Sequence, residues 1–274
     1  MPIFQLNDAQ VDLVLNDVLE IHGYDFLNYS RTSLQRRMVR LLSIDKFSSF
    51  DEFRDRLKSD RDYLHRFISQ ITVNVTEMFR DADFYRTLRQ EVLPQLATKP
   101  LIRIWHAGCS TGEEVYSMAI MLSEAKLLHK SLLYATDINP VVLESVRSGI
   151  FSLDAMKRYS ENYISAGGRE DFSSYYTAYY HSAKFDERLS ERMILATHNL
   201  VSDSSFNEFQ LILCRNVMIY FDRKLQERAL RLFDESLEPL GFLALGSKET
   251  IRFSSIADSY RQLENQAKIW RKLR

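Results

Sequence analysis

The 274 residues, 45% hydrophobic and 27% charged, suffice for one large domain or two smaller ones around a substantial core. A formal net charge of −1 excludes a global field that would announce nucleic acid or an anionic membrane, so electrostatic recognition must come from a local patch. Two cysteines exclude a disulfide framework, no apolar run nears the roughly 20 residues of a membrane span, and Asp8 near the start without basic residues argues against a secretory signal; the expectation is a cytoplasmic protein without membrane insertion.

Apolar residues at Val11, Leu13, Val14, Leu15, Val18, Leu19 and Ile21 predict a helix begun by Asn7 or Asp8 and closed by Gly23. A second helix, capped by Ser30 or Ser33, carries Leu34, Met38, Leu41 and Leu42 on one side. Its other side carries Arg36, Arg37 and Arg40, with Arg31 just upstream and no acidic residue between Phe26 and Ile44. Such a face is either simply solvated or a docking surface for an acidic partner, because guanidinium groups one turn apart can grip carboxylates. The lack of interleaved aromatics weakens RNA as the ligand. Helices from Phe50 to Leu57, capped near Ser48 or Ser49, and from about Asp60 to Ile71 complete a helical module.

Between Thr72 and Asp81, Asn74 and Thr76 alternate with Val73 and Val75 and so share one side of an extended segment. Thr76 is also a candidate cap for the helix expected from about Ala82 to Leu96. Pro100 precedes a strand from Leu101 to His106, a turn with Gly108 and Gly112, and a helix from Glu113 to Leu128. The turn does not match G-x-G-x-x-G. Glu113 and Glu114 would repel a pyrophosphate but suit a cationic, hydroxyl-rich ligand, which favours S-adenosylmethionine with its sulfonium, amino group and ribose diol. A plain structural turn would carry the same glycines.

The next strand, Leu132 to Thr136, ends in Asp137, placed either to accept a ribose diol or to cap the helix that Pro140 starts, Val141 to Arg147. Residues 150 to 191 are rich in aromatics and break the alternation of strand and helix. Gly167-Gly168 as a hairpin turn and Tyr175–Tyr180 as a strand predict a small antiparallel insertion. Strands from Met193 to Thr197 and from Phe209 to Cys214 follow, then a helix from Arg223 to Leu237, a strand from Phe242 to Leu245 and a terminal strand from Lys268 to Leu273. A ligand of an open parallel sheet lies beyond the carboxyl ends of its strands, so Glu114, Asp137, Asn199, Arg215, Asn216 and Tyr220 are expected on one rim.

Five stretches, in order and spacing, carry a resemblance: Asn74-Val-Thr-Glu-Met-Phe-Arg80, Ala107-Gly-Cys-Ser-Thr-Gly-Glu-Glu-Val-Tyr-Ser117, Ala135-Thr-Asp-Ile-Asn139, His198-Asn-Leu200 and Cys214-Arg-Asn-Val-Met-Ile-Tyr-Phe221. Over nearly its whole length the chain resembles the chemotaxis-receptor methyltransferases, the CheR family. The resemblance implies an α/β fold: a Rossmann-like S-adenosylmethionine-dependent methyltransferase domain with an N-terminal all-α domain and a small inserted antiparallel β-subdomain. The corresponding division is a helical substrate-docking domain over 1–72, a linker and helix over 73–99, and a methyltransferase domain over 100–274 with its insertion at about 152–191. The cofactor site would take Asn74, Thr76, Arg80, Gly108, Glu114, Asp137, Asn199, Leu200, Arg215 and Asn216, with no metal. The docking face would be Arg31, Arg36, Arg37 and Arg40, and its partner the cytoplasmic helical region of a chemoreceptor, with no nucleic acid.

The implied reaction is methyl transfer to a glutamate side chain by a monomer, giving a methyl ester and S-adenosyl-L-homocysteine. A glutamate with a pKa of about 4.3 is already the nucleophile at neutral pH, so no general base is needed. Arg80 and Tyr220 are the candidates for orienting it. A methyltransferase acting on RNA or a small molecule, and a non-catalytic cofactor-binding scaffold, are the alternatives. Ala166-Gly-Gly-Arg-Glu170 matches only part of the glycine pattern with which some relatives tether a receptor peptide, and Val115 stands where a proline often follows the paired glutamates.

Overall fold

The computed structural model describes residues 5–72, 75–263 and 267–274, and forms two compact units. The first comprises the described part of Met1–Asn74 together with Ile219–Ala229; the second comprises Val75–Met218 and Leu230–Arg274.

The first unit is helical: α1 (Asp8–His22), α2 (Arg31–Ile44), α3 (Phe50–Ser59) and α4 (Arg61–Ile71). The starts of α1, α3 and α4 are each capped by a side chain. Asn7 and Gln10 form a reciprocal capping box, Ser49 accepts from Glu52 N, and Asp60 accepts from Asp62 N and Tyr63 N. Gly23, at φ +78°, ends α1 in the left-handed region. Ser30 holds the cap position of α2 without a side-chain hydrogen bond, and Ser33 lies inside that helix. The helices enclose Val14, Met38, Phe53 and Phe67, none of them measurably exposed, with Phe47 and Tyr63 meeting Phe53 edge-on. The segment Ile219–Ala229 joins this core, with Phe221 against the Tyr29 ring at 5.0 Å and Ser30 N donating to Tyr220 O at 2.7 Å.

The second unit opens with α5 (Ala82–Thr87), a π-helical turn (Leu88–Val92) and α6 (Leu93–Leu96), where one uninterrupted helix was expected. Pro94 brings no N–H and its ring would strike the carbonyl of an ordinary preceding turn; the wider turn, with Leu93 N donating to Leu88 O, accommodates it. Thr76 caps nothing here: the helix starts after Asp81, which sits at the cap position with φ +64°. Then come β1 (Ile102–Ala107), α7 (Glu113–Glu124), β2 (Ser131–Asp137), α8 (Pro140–Ser148), β3 (Ile150–Ser152), α9 (Met156–Ser165), β4 (Tyr176–Tyr179), β5 (Ser182–Phe185), β6 (Met193–Thr197), β7 (Phe209–Cys214), α10 (Arg223–Ser236), β8 (Leu237–Leu245), β9 (Tyr260–Gln262) and β10 (Ile269–Lys272). Helix α10 begins in the first unit and ends in the second.

The main sheet has the order β6-β2-β1-β7-β8-β10-β9, parallel from β6 through β8 and antiparallel beyond. Strand order reverses between β1 and β7, so their carboxyl ends open a crevice there. All six residues of β7 are buried, as a parallel strand covered on both faces requires. Trp105 meets Phe209 and Phe233 on one face, while Ile104, Tyr116, Leu133 and Leu213 belong to the core on the other.

The insertion is a three-stranded antiparallel sheet, β3-β5-β4, accompanied by α9, a helix the aromatic composition had hidden. Its hairpin turns at Tyr180-His181, with Tyr180 at φ +51°, and Gly167-Gly168 instead closes α9. Gly168 lies against the Tyr163 ring so closely that a Cβ would meet it at 2.3 Å. A buried carboxylate fastens this subdomain: Glu124 pairs with Arg89 and accepts from the Tyr163 and Tyr175 hydroxyls. Among the described residues no helix is long and apolar enough to cross a membrane.

Candidate functional site

The glycine turn after β1 is pinned from β2. Gly108 N and Cys109 N both donate to Thr136 O, at 2.8 and 2.9 Å. Gly108 has φ +77°, and a Cβ there would lie 2.6 Å from the Val217 side chain, so the turn admits nothing larger. Asp137 completes the support: its Oδ2 accepts Ser110 N and its Oδ1 accepts Asn139 N, each at 3.0 Å. It does not cap α8, because Asn139 Oδ1 takes Val141 N in that role. Burial pushes the Asp137 carboxyl above its usual range, and the backbone donors only partly offset this. Its remaining lone pairs suit hydroxyl donors such as a ribose diol. Asp137 O also accepts His198 N, which brings Asn199 and Leu200 beside it; Asn199 Oδ1 closes its own loop by accepting Val201 N at 2.9 Å.

The two glutamates part company. Glu113 turns away from the crevice, accepting from Thr111 Oγ1 at 2.6 Å and from the Tyr159 hydroxyl of α9 at 3.3 Å; burial raises its pKa. It is therefore part of the subdomain contact and not a ligand-facing charge. Glu114 faces the crevice, bonded to His106 Nδ1 at 2.9 Å and Arg215 Nη1 at 3.2 Å. Burial is the largest influence on Glu114 and opposes its charge, but His106 and Arg215 together outweigh it and hold the carboxyl below its usual range.

Arg215, whose side chain is only 3% exposed, reaches the segment before α5. Its Nη2 donates to Asp81 Oδ2 at 2.7 Å and to Arg80 O at 3.0 Å, and its guanidinium lies 4.0 Å from the Phe84 ring centroid. Arg80 sits between two left-handed residues, Phe79 at φ +53° and Asp81 at φ +64°, and its Nη1 donates to Val75 O at 3.2 Å. Thr76 is half-buried in the same segment; Asn74 lies outside the described residues. Asn216, at φ +62°, follows Arg215, and its N–H donates to Glu249 Oε2 at 2.9 Å.

The sheet rim thus brings together Gly108, Glu114, Asp137, Asn199, Leu200, Arg215 and Asn216, with Arg80 tied to it through Arg215. Tyr220 groups with the helical unit, where it raises the pKa of Arg37 against the larger lowering by burial. The arginine face is also not uniform. Asp12 of α1 pairs with Arg31, a neutralisation invisible in the local sequence, and Arg37 Nη1 donates to Gln70 O at 3.1 Å. Arg36 and Arg40 are exposed.

Two supporting residues escaped the sequence reading. Glu249 gathers three N–H groups, from Gly246, Asn216 and Val217, at 2.6, 2.9 and 3.1 Å, and so shapes the loop after β7. Its signal is an acid three residues beyond Gly246 at a strand end, much as Asp137 ends β2. His106 is a wholly buried polar residue in β1, a strand whose other polar side chain, Arg103, is half-buried.

These residues suit an S-adenosyl donor. A buried acid that suits a diol, a half-buried carboxylate that suits a cationic group, and a glycine turn surround the crevice, and among the described residues Ser110 Oγ and Arg215 Nε are buried there without a partner.

Comparison with known proteins agrees with the geometry. The family described as CheR methyltransferase, all-alpha domain, matches residues 9–72, and that described as CheR methyltransferase, SAM binding domain, matches residues 74–269. A Pseudomonas putida protein named as a methyltransferase, Cher3, is 45% identical over 97% of this chain and 97% of its own length. Chemotaxis protein methyltransferases of Listeria monocytogenes and Salmonella typhimurium are 33% and 29% identical, over 84% and 93% of this chain and 85% and 88% of theirs. With an all-α unit, a Rossmann-like sheet and an S-adenosylmethionine crevice at its switch point, the chain is a member of the CheR methyltransferase family.

Proposed function

We propose that this chain transfers a methyl group to glutamate side chains in the cytoplasmic helical region of a chemoreceptor, forming glutamate methyl esters. The observation that carries the reading is the pairing of a half-buried, ionised Glu114 with Arg215 beside Asp137 at the strand ends, in a member of this family. The names of the relatives, chemotaxis protein methyltransferases, support the acceptor class. The exposed Arg36 and Arg40 support an acidic helical partner. Such an acceptor would place the enzyme, acting as a monomer, in the cytoplasm.

When bound, S-adenosylmethionine supplies an electrophilic methyl group on a sulfonium. Asp137 would accept the ribose hydroxyls, Glu114 would balance the donor's positive charge, and Thr76, Arg80, Asn199, Leu200, Arg215 and Asn216 would line the rest. Arg80 would orient the acceptor carboxylate, with Tyr220 the other candidate for that role. The acceptor carboxylate oxygen would take the methyl carbon as the donor leaves as the neutral thioether S-adenosyl-L-homocysteine, so no proton would need to move. The residues therefore act by alignment and by excluding water, with no general base.

The test is incubation with methyl-labelled donor and membranes containing chemoreceptors. A base-labile label on receptor is the expected result. Base-stable label, or label on RNA or small molecules with receptor unmodified, would overturn the reading.

A further inference from the structure

Four charged or polar side chains on four different segments touch in sequence. His106 of β1 holds Glu114 of α7 at 2.9 Å, Glu114 holds Arg215 after β7 at 3.2 Å, and Arg215 holds Asp81 before α5 at 2.7 Å. We infer that this chain is the device that presets the donor site, and that His106 and Asp81 are positioning residues for it.

Three features carry the inference. First, direction. Glu114 and Arg215 belong to the proposed donor site, and further polar partners fix the orientation of each: His106 behind Glu114, Asp81 and Arg80 O beyond Arg215. Arg215 is a proposed donor-contacting residue, yet both its terminal nitrogens are engaged within the protein; among the described residues only Nε is left without a partner. Its larger task is to hold others.

Second, strain. The backbone at Phe79 and Asp81 is left-handed on both sides of Arg80, a conformation unfavourable for non-glycine residues that persists only when surroundings impose it. The surroundings that impose it are Arg215, through Arg80 O and Asp81, and Ser117 Oγ, which accepts Phe79 N at 2.9 Å. The kink aims Arg80, the proposed orienting residue, so whatever aligns Arg215 aligns Arg80.

Third, chemistry. His106 has no exposed surface, and among the described residues its Nε2 has no hydrogen-bond partner while Nδ1 faces the carboxylate. The imidazole therefore serves one contact. A residue retained only to fill the strand interior would be apolar, since a buried polar side chain without good bonding is costly. His106 is a wedge with a donor on it, setting the Glu114 rotamer against Arg215.

This inference rests on the proposed site, and the experiment separates the two. Product, S-adenosyl-L-homocysteine, is titrated calorimetrically into the full-length protein and into His106→Asn, His106→Leu, Asp81→Asn and the His106→Leu/Asp81→Asn double variant. Asparagine keeps an N–H near the position of Nδ1, and at position 81 it tolerates the left-handed backbone. His106→Leu is expected to weaken product binding about tenfold and His106→Asn no more than about threefold. The double variant is expected to lose less than the product of the single losses, since both act through Arg215. Faster amide exchange at Phe79 in His106→Leu should accompany the loss. Equal weakening by leucine and asparagine, full additivity, or a fall in Tm with product affinity unchanged would each overturn the inference. If the wild-type chain itself fails to bind product, the site assignment falls and the inference with it.

Discussion

Asp137 shows how one carboxyl can serve both fold and ligand. Its two oxygens each accept a backbone N–H, one from the glycine turn and one from the start of α8, so the charge lies at a fixed place before any ligand arrives. Burial nonetheless raises its pKa, so the proton goes on at a higher pH than for an exposed aspartate near 3.9. Since the ionised carboxylate is the better acceptor for a diol, product affinity should fall as pH falls through that raised value, by about tenfold per unit below it. Calorimetric titration of product across pH checks this; Asp137→Asn should bind weakly and lack that limb. Glu249 makes a complementary case. Removing its side chain would leave three N–H groups around a 5%-exposed position without their carboxylate, and Glu249→Ala should lower unfolding free energy by about 3 kcal/mol. Denaturant melts give the number. A loss under about 1 kcal/mol would mean that water replaces the carboxylate.

At the scale of elements, what was legible was whatever has a local period or a local cap. Asn7, Ser49 and Asp60 cap the helices they introduce, and the apolar runs at Ile104 and Phe209–Cys214 are buried parallel strands. What was not legible depends on partners far along the chain. No local pattern tells that Glu113 turns to Tyr159 while Glu114 turns to Arg215, because adjacent helical residues point about 100° apart and their partners lie in later segments. The glycine pair reads equally well as a hairpin turn or a helix end, because both use the same residue for the same φ freedom. The arginine face of α2 shows the same limit, since Asp12 neutralises Arg31 from another helix. Docking on α2 should therefore rest on Arg36 and Arg40. Reversing both, in Arg36→Glu/Arg40→Glu, is expected to raise KM for receptor about tenfold or more while product affinity stays unchanged, and the wild-type KM should rise with salt. An unchanged KM would leave α2 a solvated face.

For the whole molecule, the division of the chain matters more than its length. Residues 219–229 come soon after β7, beyond residues 215–218, yet cluster with the N-terminal helices, so the segment carrying Tyr220 is shaped by a part of the chain nearly two hundred residues earlier. Ser30 N donates to Tyr220 O, Asp222 N donates to Asn28 O at 2.9 Å, and the Tyr29 and Phe221 rings pack edge-on. The Glu249 and Asp137 contacts, by contrast, all lie within Val75–Met218 and Leu230–Arg274. A fragment beginning at Val75 would keep the rim contacts and lose the partners of 219–222. Each lost hydrogen bond or ring pair is worth about 1 kcal/mol, so the fragment should melt lower and exchange amides 220–222 quickly. Its near-ultraviolet circular dichroism should still report Trp105 packed among Phe209 and Phe233. Product binding should survive within about tenfold, because the acid that accepts the diol is untouched. Transfer to receptor should vanish, since Tyr220 loses its support and the arginine face is gone. If a folded fragment binds no product at all, the helical unit contributes to the donor site directly, and the division of labour drawn from the two clusters is wrong.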